Sequence, residues 1–221
     1  MNNDRRTTRR DCIAAAAAAL LGAALPSRAQ SAKGSGAPVI LVVGDSLSAE
    51  YGLARGTGWV TLLEQRLDAE RIGARVINAS ISGDTTAGGL ARLPALLQSH
   101  RPTHVIVELG GNDALRGLPL VGTERNLSQI VQLAQQAGTR VLLVGMQIPP
   151  NFGADYARRF SAVFETVARQ RKAALVPFFL QGVADGPDPT RLFQPDRIHP
   201  TAQAQPLMLD NVWPHLQPLL R

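Results

Sequence analysis

Short apolar segments alternate with segments of helical periodicity through most of this chain, and this alternation restricts its fold more than any other feature. We predict strands at 39–43, 75–78, 105–109, 140–145 and 174–177, and helices at 59–69, 90–98, 123–136, 154–172 and 202–220. Most of these strands are apolar at successive positions, which is typical of strands buried on both faces. The pattern predicts one α/β domain at 39–221 with a parallel sheet.

The N-terminal 29 residues do not fit that pattern. A basic segment precedes a 13-residue apolar stretch, Ile13 to Leu25, and small residues follow at Ser27 and Ala29. This order predicts an export signal at 1–29, cleaved after Ala29, and then a flexible linker at 30–38. The apolar stretch is too short for a comfortable membrane span. The start also resembles a twin-arginine signal, although Cys12 stands where Phe is usual. A basic tail on a cytoplasmic protein is the alternative.

Removing the signal changes what the charge and the cysteine content imply. Residues 1–29 hold five Arg and two Asp, a net +3 of the chain's +6, so the remainder carries +3. Such a balance gives little support for an acidic partner. Cys12 is the only cysteine, so the mature chain would have no disulfide and no thiol ligand. Aromatic residues make up 5% of the chain, too few to favour base stacking, and we expect no nucleic-acid partner.

Polar, glycine-containing segments follow four of the predicted strands. These segments are Gly44-Asp45-Ser46, 78–86 (NASISGDTT), 110–113 (GGND) and 146–153 (MQIPPNFG). Ligands of open α/β sheets bind beyond the carboxyl ends of the strands. One such segment could be a helix cap, but several at the same edge indicate a site.

Ser46 is the candidate nucleophile of that site. A serine hydroxyl needs a base within hydrogen-bond reach, and the base needs an orienting group. His199 follows Asp196 by three residues, a spacing that lets a carboxylate turn back to the imidazole. We expect the other histidines to be surface or boundary residues: His100, His104 and His215. The sequence around Ser46 lacks the second glycine of the Gly-x-Ser-x-Gly elbow, which argues against an α/β-hydrolase.

With these motifs in view, the chain resembles the GDSL, or SGNH, hydrolases, and within them the bacterial thioesterase I/protease I/lysophospholipase L1-type esterases. Four motifs occur in the order of that family: GDSLS (44–48), NASISGDT (78–85), ELGGNDALRG (108–117) and DRIHP (196–200). The resemblance implies a three-layer, flavodoxin-like α/β/α fold with five parallel strands. It implies Ser46 as nucleophile, His199 as base and Asp196 as its orienting group. The implied oxyanion hole is Ser46 N–H, Gly83 N–H and the Asn112 amide.

The chain departs from the family at three places. Glu50 and Arg197 stand where relatives often have Gly, and segment 146–153 is shorter. These changes could alter substrate entry without removing a catalytic group. Other conspicuous residues have structural interpretations: Asp45 braces the nucleophile turn, Asp113 holds its loop, and Trp59 and Trp213 belong to the core.

We therefore expect an exported serine esterase, periplasmic or secreted. Its substrates would be medium or long acyl esters, such as lysophospholipids or aryl esters, and acyl thioesters by resemblance. We expect no cofactor, no metal, no stable membrane insertion once the signal is removed, and a monomer. A carbohydrate O-deacetylase is the alternative enzyme. A lipid- or glycan-binding protein on the same fold is the alternative outside enzymes.

Overall fold

The fold is described here from a computed structural model, which covers residues 36–221. The predicted export signal at 1–29 and most of the predicted linker lie outside the described residues. Within the described range, no helix combines the length and the apolar character needed to cross a bilayer.

Five parallel strands form the centre of the domain, in the order β2-β1-β3-β4-β5. They are β1 (Val39–Gly44), β2 (Arg75–Asn78), β3 (His104–Glu108), β4 (Arg140–Val144) and β5 (Ala174–Val176). This is the flavodoxin-like strand order, so the α/β prediction and its five strands are confirmed.

Helices cover both faces of this sheet. They are α1 (Trp59–Ala69), α2 (Thr86–His100), α3 (Gly111–Leu115), α4 (Leu120–Gln136), α5 (Ala154–Arg171) and α6 (Gln205–Leu216). Helices α1 and α6 pack together on one face, while α2, α4 and α5 pack in sequence on the other. Short 3₁₀ turns occupy Pro150–Phe152, Ala202–Ala204 and Gln217–Leu220.

The core lies between the sheet and these helices. Residues 40–43 of β1 and 105–107 of β3 are completely buried, which explains why these segments are apolar at every position. Burial of each such side chain contributes about 1.5–3 kcal/mol. Trp59 and Trp213 are 0% and 5% exposed, so both are core residues as predicted.

Helix α2 begins earlier than the sequence predicted, at Thr86 instead of residue 90. The Thr85 side chain accepts a hydrogen bond from Gly88 N–H (3.3 Å) and caps the helix. Pro94 lies inside α2. A Cβ at Gly89 would come within 2.3 Å of Leu109 Cδ1, so a glycine is required where α2 approaches the sheet.

One short helix was not predicted, and two further predictions need correction. The short helix α3 was not predicted, because five residues give too little periodicity to detect. The single helix predicted at 202–220 is divided into a 3₁₀ turn, α6 and a second 3₁₀ turn. His104 was expected at the surface or boundary but is buried, and its Nε2–H donates to Leu219 O (2.8 Å), which satisfies the buried ring.

Candidate active site

The loops after β1, β2 and β3 meet at the carboxyl edge of the sheet. Since β1 lies between β2 and β3, Ser46 has the loop of Gly83 on one side and Asn112 on the other. The chain passes from β1 to α1 on one face of the sheet and from β3 to α4 on the other face, and open α/β sheets form their binding crevice between two such neighbouring strands. The structure therefore brings these three predicted residues together.

Ser46 lies on a tight turn directly after β1. Asp45 Oδ1 accepts a hydrogen bond from Leu47 N–H (3.0 Å), and Asp45 O accepts from Ala49 N–H (3.0 Å), so the turn is braced as the sequence predicted. A Cβ at Gly44 would approach Ser48 Oγ to 2.8 Å and Glu108 Oε2 to 2.9 Å. Gly44 is thus required because buried polar side chains pack directly against its Cα.

His199 lies on the loop that precedes α6. Asp196 Oδ1 accepts hydrogen bonds from Ile198 N–H (2.9 Å) and His199 N–H (3.0 Å). Asp196 Oδ2 accepts from His199 Nδ1–H (2.7 Å). Partial burial acts to raise the pKa of Asp196, but these hydrogen bonds and the attraction of His199 outweigh it and lower the pKa to about 2. Asp196 is therefore ionised throughout the physiological range.

The two loops join at a hydrogen bond between Ser46 and His199. His199 Nε2 lies 2.9 Å from Ser46 Oγ, although the two residues are 153 positions apart. Because ionised Asp196 can only accept, Nδ1 carries the imidazole proton and Nε2 is free to accept the serine proton. This is the geometry of a Ser-His-Asp triad.

Gly83 lies at the third position of a turn from Ile81 to Asp84, closed by Asp84 N–H donating to Ile81 O (3.0 Å). Its φ is +79°, which a type II turn demands at this position and which L side chains rarely adopt. Among the hydrogen bonds within residues 36–221, neither Gly83 N–H nor Ser46 N–H has a protein acceptor. Both donors are therefore available at this edge of the sheet.

Asn112 has a different environment from these two backbone donors. Its Nδ2 donates to Asp45 Oδ2 (2.9 Å) and to Asp84 O (2.9 Å). The amide therefore connects the nucleophile turn to the Gly83 turn, and both of its protons already have acceptors. An oxyanion could bind here only by sharing or replacing one of these acceptors.

Arg92 of α2 holds the Gly83 turn from the opposite side. Its Nε donates to Asp84 Oδ2 (2.8 Å), and one terminal nitrogen donates to Gly44 O (3.2 Å). The other terminal nitrogen donates to Ala79 O. One half-buried guanidinium thus fixes the ends of β1 and β2 relative to each other, which a lysine could not do with the same planar geometry.

A buried acidic group lies under the nucleophile turn. Glu108, the last residue of β3, is 2% exposed, and its Oε2 accepts from Ser48 Oγ–H (2.7 Å). Ser48 Oγ in turn accepts from Trp59 Nε1–H (3.2 Å). Burial, and then the nearby Asp45 charge, raise the pKa of Glu108 well above its usual range. Burial likewise raises the pKa of Asp45 to about 6, against hydrogen bonds from Leu47 and Asn112 that lower it.

Sequence reasoning did not identify Glu108 or Ser48 as parts of this network. A signal was present, because Glu108 is a carboxylate directly after three apolar residues of β3 (HVIVE). Such a residue is buried with a partner or has its pKa shifted. Asp113, by contrast, holds its loop as expected: its carboxylate accepts from Thr86 N–H (2.9 Å) and from the Thr86 hydroxyl (2.5 Å).

Two departures from the family motifs occupy left-handed backbone positions. Glu50 has φ +58° and Arg197 has φ +59°, which explains why glycine is common there. The Glu50 carboxylate accepts from Gly56 N–H (3.1 Å), Gly58 N–H (2.8 Å) and the Thr61 hydroxyl (3.2 Å). These bonds fix the loop that follows the nucleophile turn, a role that glycine could not perform.

Metal ligands do not cluster in the part of the chain that the structure describes. No group of three or more His, Cys, Asp and Glu side chains with metal-binding spacing occurs within residues 36–221. The chemistry that the site supports follows from its hydrogen bonds: a serine hydroxyl bonded to an imidazole, which a carboxylate orients, is suited to acyl transfer to that hydroxyl.

Comparisons with known proteins identify the family of this chain. Residues 42–206 match the GDSL-like Lipase/Acylhydrolase family. The chain is 54% identical over 184 residues to Esterase TesA of Pseudomonas aeruginosa, covering 83% of this chain and 90% of that protein. It is 42% identical over 188 residues to Thioesterase 1/protease 1/lysophospholipase L1 of Escherichia coli K12, covering 85% and 88%.

A solved structure gives the same result in three dimensions. The psychrotrophic esterase EstA from Pseudoalteromonas sp., in a form inhibited by monoethylphosphonate, aligns with a TM-score of 0.76 and 42% identity. The alignment covers 82% of this chain and 98% of EstA. A family match across most of the described residues, with relatives this similar over most of their length, decides the classification. The chain belongs to the GDSL-like lipase/acylhydrolase family, the SGNH hydrolases.

Proposed function

We propose that this GDSL-type carboxylic ester hydrolase is a serine esterase in which Ser46, His199 and Asp196 form the catalytic triad. The observation that carries the proposal is the continuous chain of hydrogen bonds through His199. Asp196 accepts from Nδ1–H at 2.7 Å, and Nε2 accepts from the Ser46 hydroxyl at 2.9 Å. This arrangement provides a nucleophile, a base and an orienting group in one line.

The proposed reaction has two halves. Ser46 Oγ attacks the acyl carbonyl while His199 Nε2 takes the serine proton, and a tetrahedral oxyanion forms. His199 then gives that proton to the departing alkoxide, which leaves as the alcohol, and an acyl-Ser46 ester remains. In the second half His199 removes a proton from water, the hydroxide attacks the acyl-enzyme, and His199 returns the proton to Ser46 as the carboxylic acid leaves.

The proposed oxyanion hole combines two unoccupied donors with one that is already engaged. Ser46 N–H and Gly83 N–H have no acceptor within residues 36–221, so they can bind a developing oxyanion at no cost in protein hydrogen bonds. Asn112 Nδ2 would be the third donor. It would act by sharing a proton that now binds Asp45 or Asp84, which gives it a second role in holding the two turns.

Apolar side chains at the carboxyl edge support an acyl chain of medium or greater length as the preferred substrate group. Large apolar residues in the segments that follow β2, β3 and β4 are exposed: Ile81, Leu115, Leu118 and Phe152. Tyr51 is also half exposed, and its ring lies against His199. Exposed apolar groups of this kind favour a hydrocarbon ligand over an acetylated sugar.

A phosphonate probe tests the mechanism. We expect a fluorophosphonate to add one phosphonyl group per molecule, mapped by peptide mass to Ser46, and to leave Ser46→Ala unlabelled. Folded protein that is not labelled would contradict the triad and favour a non-catalytic binding protein. The use of a phosphonate is supported by EstA, which was solved in a monoethylphosphonate-inhibited form.

A substrate series tests the acyl preference. Aryl esters and matched thioesters from acetyl to palmitoyl should show kcat/KM rising beyond acetyl, with lysophospholipid also cleaved. A maximum at acetyl, with release of acetate from acetylated oligosaccharides, would favour the O-deacetylase alternative.

The proposed location is the periplasm or the exterior, and the proposed state is a monomer. The location is supported by residues 1–29, in which a basic segment precedes an apolar stretch. Ser27 and Ala29 follow at the expected cleavage site. The proposed triad is complete within one chain, so the proposed reaction needs no second copy. Intact mass of exported protein should give an N-terminus at Gln30, and light scattering should give one chain; a retained signal or a stable dimer would overturn the respective proposal.

A further inference from the structure

The proposed triad depends on two loops from distant parts of the chain. Ser46 is fixed from below by β1 and the buried network, whereas His199 belongs to an irregular loop closed by the bridge between Phe193 and Pro200. Proton transfer requires Ser46 Oγ and His199 Nε2 to stay within hydrogen-bond distance. Contacts between the two loops must therefore maintain their spacing.

The side chain of Gln194 makes those contacts. Its Nε2 donates to Tyr51 O (2.9 Å), in the loop after the nucleophile turn, and to Pro200 O (3.1 Å), directly after His199. Its backbone N–H donates to His199 O (2.8 Å). A Cβ at Gly52 would come within 2.1 Å of Gln194 Oε1, so the amide packs directly on the nucleophile side.

Tyr51 completes a closed set of contacts between the loops. Its backbone N–H donates to Ser46 O (3.4 Å). Its ring lies against the His199 imidazole, with centroids 4.3 Å apart and a tilt of 36°. A displacement of Gln194 would therefore be transmitted to both partners of the proton transfer, through Tyr51 on one side and through the His199 backbone on the other.

We propose that Gln194 is a positioning residue, whose amide holds the Ser46 loop and the His199 loop at the spacing that proton transfer requires. This inference rests on the proposed function, because it assigns Gln194 a role only in bringing the base to the nucleophile. Gln194 does not act on substrate. Small displacements of catalytic groups can cost about 10²-fold in rate, so the expected effect is in kcat.

Gln194→Met tests the proposal, because Met keeps the length of the side chain and removes its two donated hydrogen bonds. Gln135→Met is the matched control: Gln135 Nε2 donates to Arg171 O (2.7 Å), joining α4 to the end of α5 away from the site. Both variants are compared with wild type at a temperature well below each Tm, by kcat, KM and the rate of fluorophosphonate labelling.

We expect kcat of Gln194→Met to fall by roughly 10- to 100-fold with KM changed less than about threefold, and the labelling rate to fall in parallel. Gln135→Met should retain both rates. If Gln194→Met fails to fold, Gln194→Asn keeps the amide but shortens it by one methylene, and the same loss is expected.

Two results would contradict the inference while leaving the triad intact. One is a folded Gln194 variant with wild-type kcat and labelling rate, and the other is an equal loss in Gln135→Met, which would indicate a general effect of stability. Wild-type protein that is never labelled at Ser46 would instead overturn the proposed function, and this inference with it.

Discussion

The two loops that meet at Ser46 each contain an aspartate, and the pKa values of the two carboxyl groups are shifted in opposite directions. Asp196, on the His199 loop, accepts three hydrogen bonds and has a side chain 37% exposed. Asp45, on the nucleophile turn, accepts from Leu47 and Asn112 and is 2% exposed. The pKa is lowered to about 2 for Asp196 and raised to about 6 for Asp45.

Burial decides the sign of this difference. For both residues burial acts to raise the pKa, but only for Asp45 does it exceed the hydrogen bonds that favour the charge. The exposed loop therefore keeps a permanent negative charge beside the imidazole that must become cationic. The buried turn uses a carboxyl group mainly as an acceptor for N–H groups, beside a second buried acid, Glu108. One side of the site is arranged for charge and the other for rigidity.

The largest expected effect comes from removing the nucleophile of one loop or the base of the other. Ser46→Ala and His199→Ala should each reduce kcat by roughly 10⁴-fold or more, and the double variant should be hardly worse than either, because the residues act as one unit. Ser161→Ala, which removes a partly exposed hydroxyl on α5 that donates to Arg158 O, should have the activity of the wild type. Losses that multiply in the double variant would show that Ser46 and His199 do not share a step.

Asp196→Asn should be the next most severe, because the amide cannot stabilise the imidazolium and favours the wrong tautomer. We expect kcat to fall by roughly 10³–10⁴-fold. Asp155→Asn, at an exposed carboxylate paired with Arg158, is the control and should retain activity. Full activity in Asp196→Asn would show that the negative charge beside His199 is unnecessary, and the contrast between Asp196 and Asp45 would then have no catalytic meaning.

Asn112→Ala should have an intermediate effect and tests the junction between the rigid turn and the oxyanion site. We expect kcat to fall by roughly 10²–10³-fold, with KM little changed, as for loss of an oxyanion donor. Tm should also decrease, because Asp45 and Asp84 O lose a donor. Asn126→Ala, which removes a donor to the Thr86 hydroxyl, is the control. Lower Tm with unchanged kcat would leave Asn112 a purely structural link.

Glu108→Gln should have the smallest effect and addresses the buried side alone. Burial raises the pKa of Glu108, so the folded protein favours the protonated carboxyl group. The contribution of Glu108 to the free energy of unfolding is therefore full below about pH 4.5 and declines as pH rises. Gln removes this decline, and the Tm of the variant relative to wild type should increase with pH above about 4.5. Asp196 acts in the opposite direction, since its stabilisation is present above about pH 3.8 and is lost toward pH 2. A Tm difference that is constant with pH would contradict the assignment.

The sequence was informative about the site where the chemistry is local. Ser46 follows directly from a buried strand into a turn, and the three-residue spacing of Asp196 and His199 is short enough for one loop to hold both. The sheet could be predicted because continuous apolar segments leave few alternatives to a buried parallel arrangement.

The remaining parts depend on contacts between segments that are distant in sequence. Gln194 meets Tyr51 across 143 positions, and Glu108 meets Ser48 across 60, so neither contact leaves a local pattern. The start of α2 also depends on a contact that is distant in sequence, because Thr86 N–H donates to the carboxylate of Asp113 in α3. The low helix propensity of Gly88 and Gly89 placed the predicted start of the helix after them, whereas in the structure both residues are helical.

Trapping the acyl-enzyme tests the central claim most directly. Wild-type protein mixed with an aryl ester and quenched in acid within the first turnovers should gain the mass of one acyl group, and peptide mapping should place it on Ser46. Ser46→Ala should show neither the adduct nor turnover. Hydrolysis by Ser46→Ala at the wild-type rate, or an acyl group on a different residue of the wild-type protein, would contradict the account.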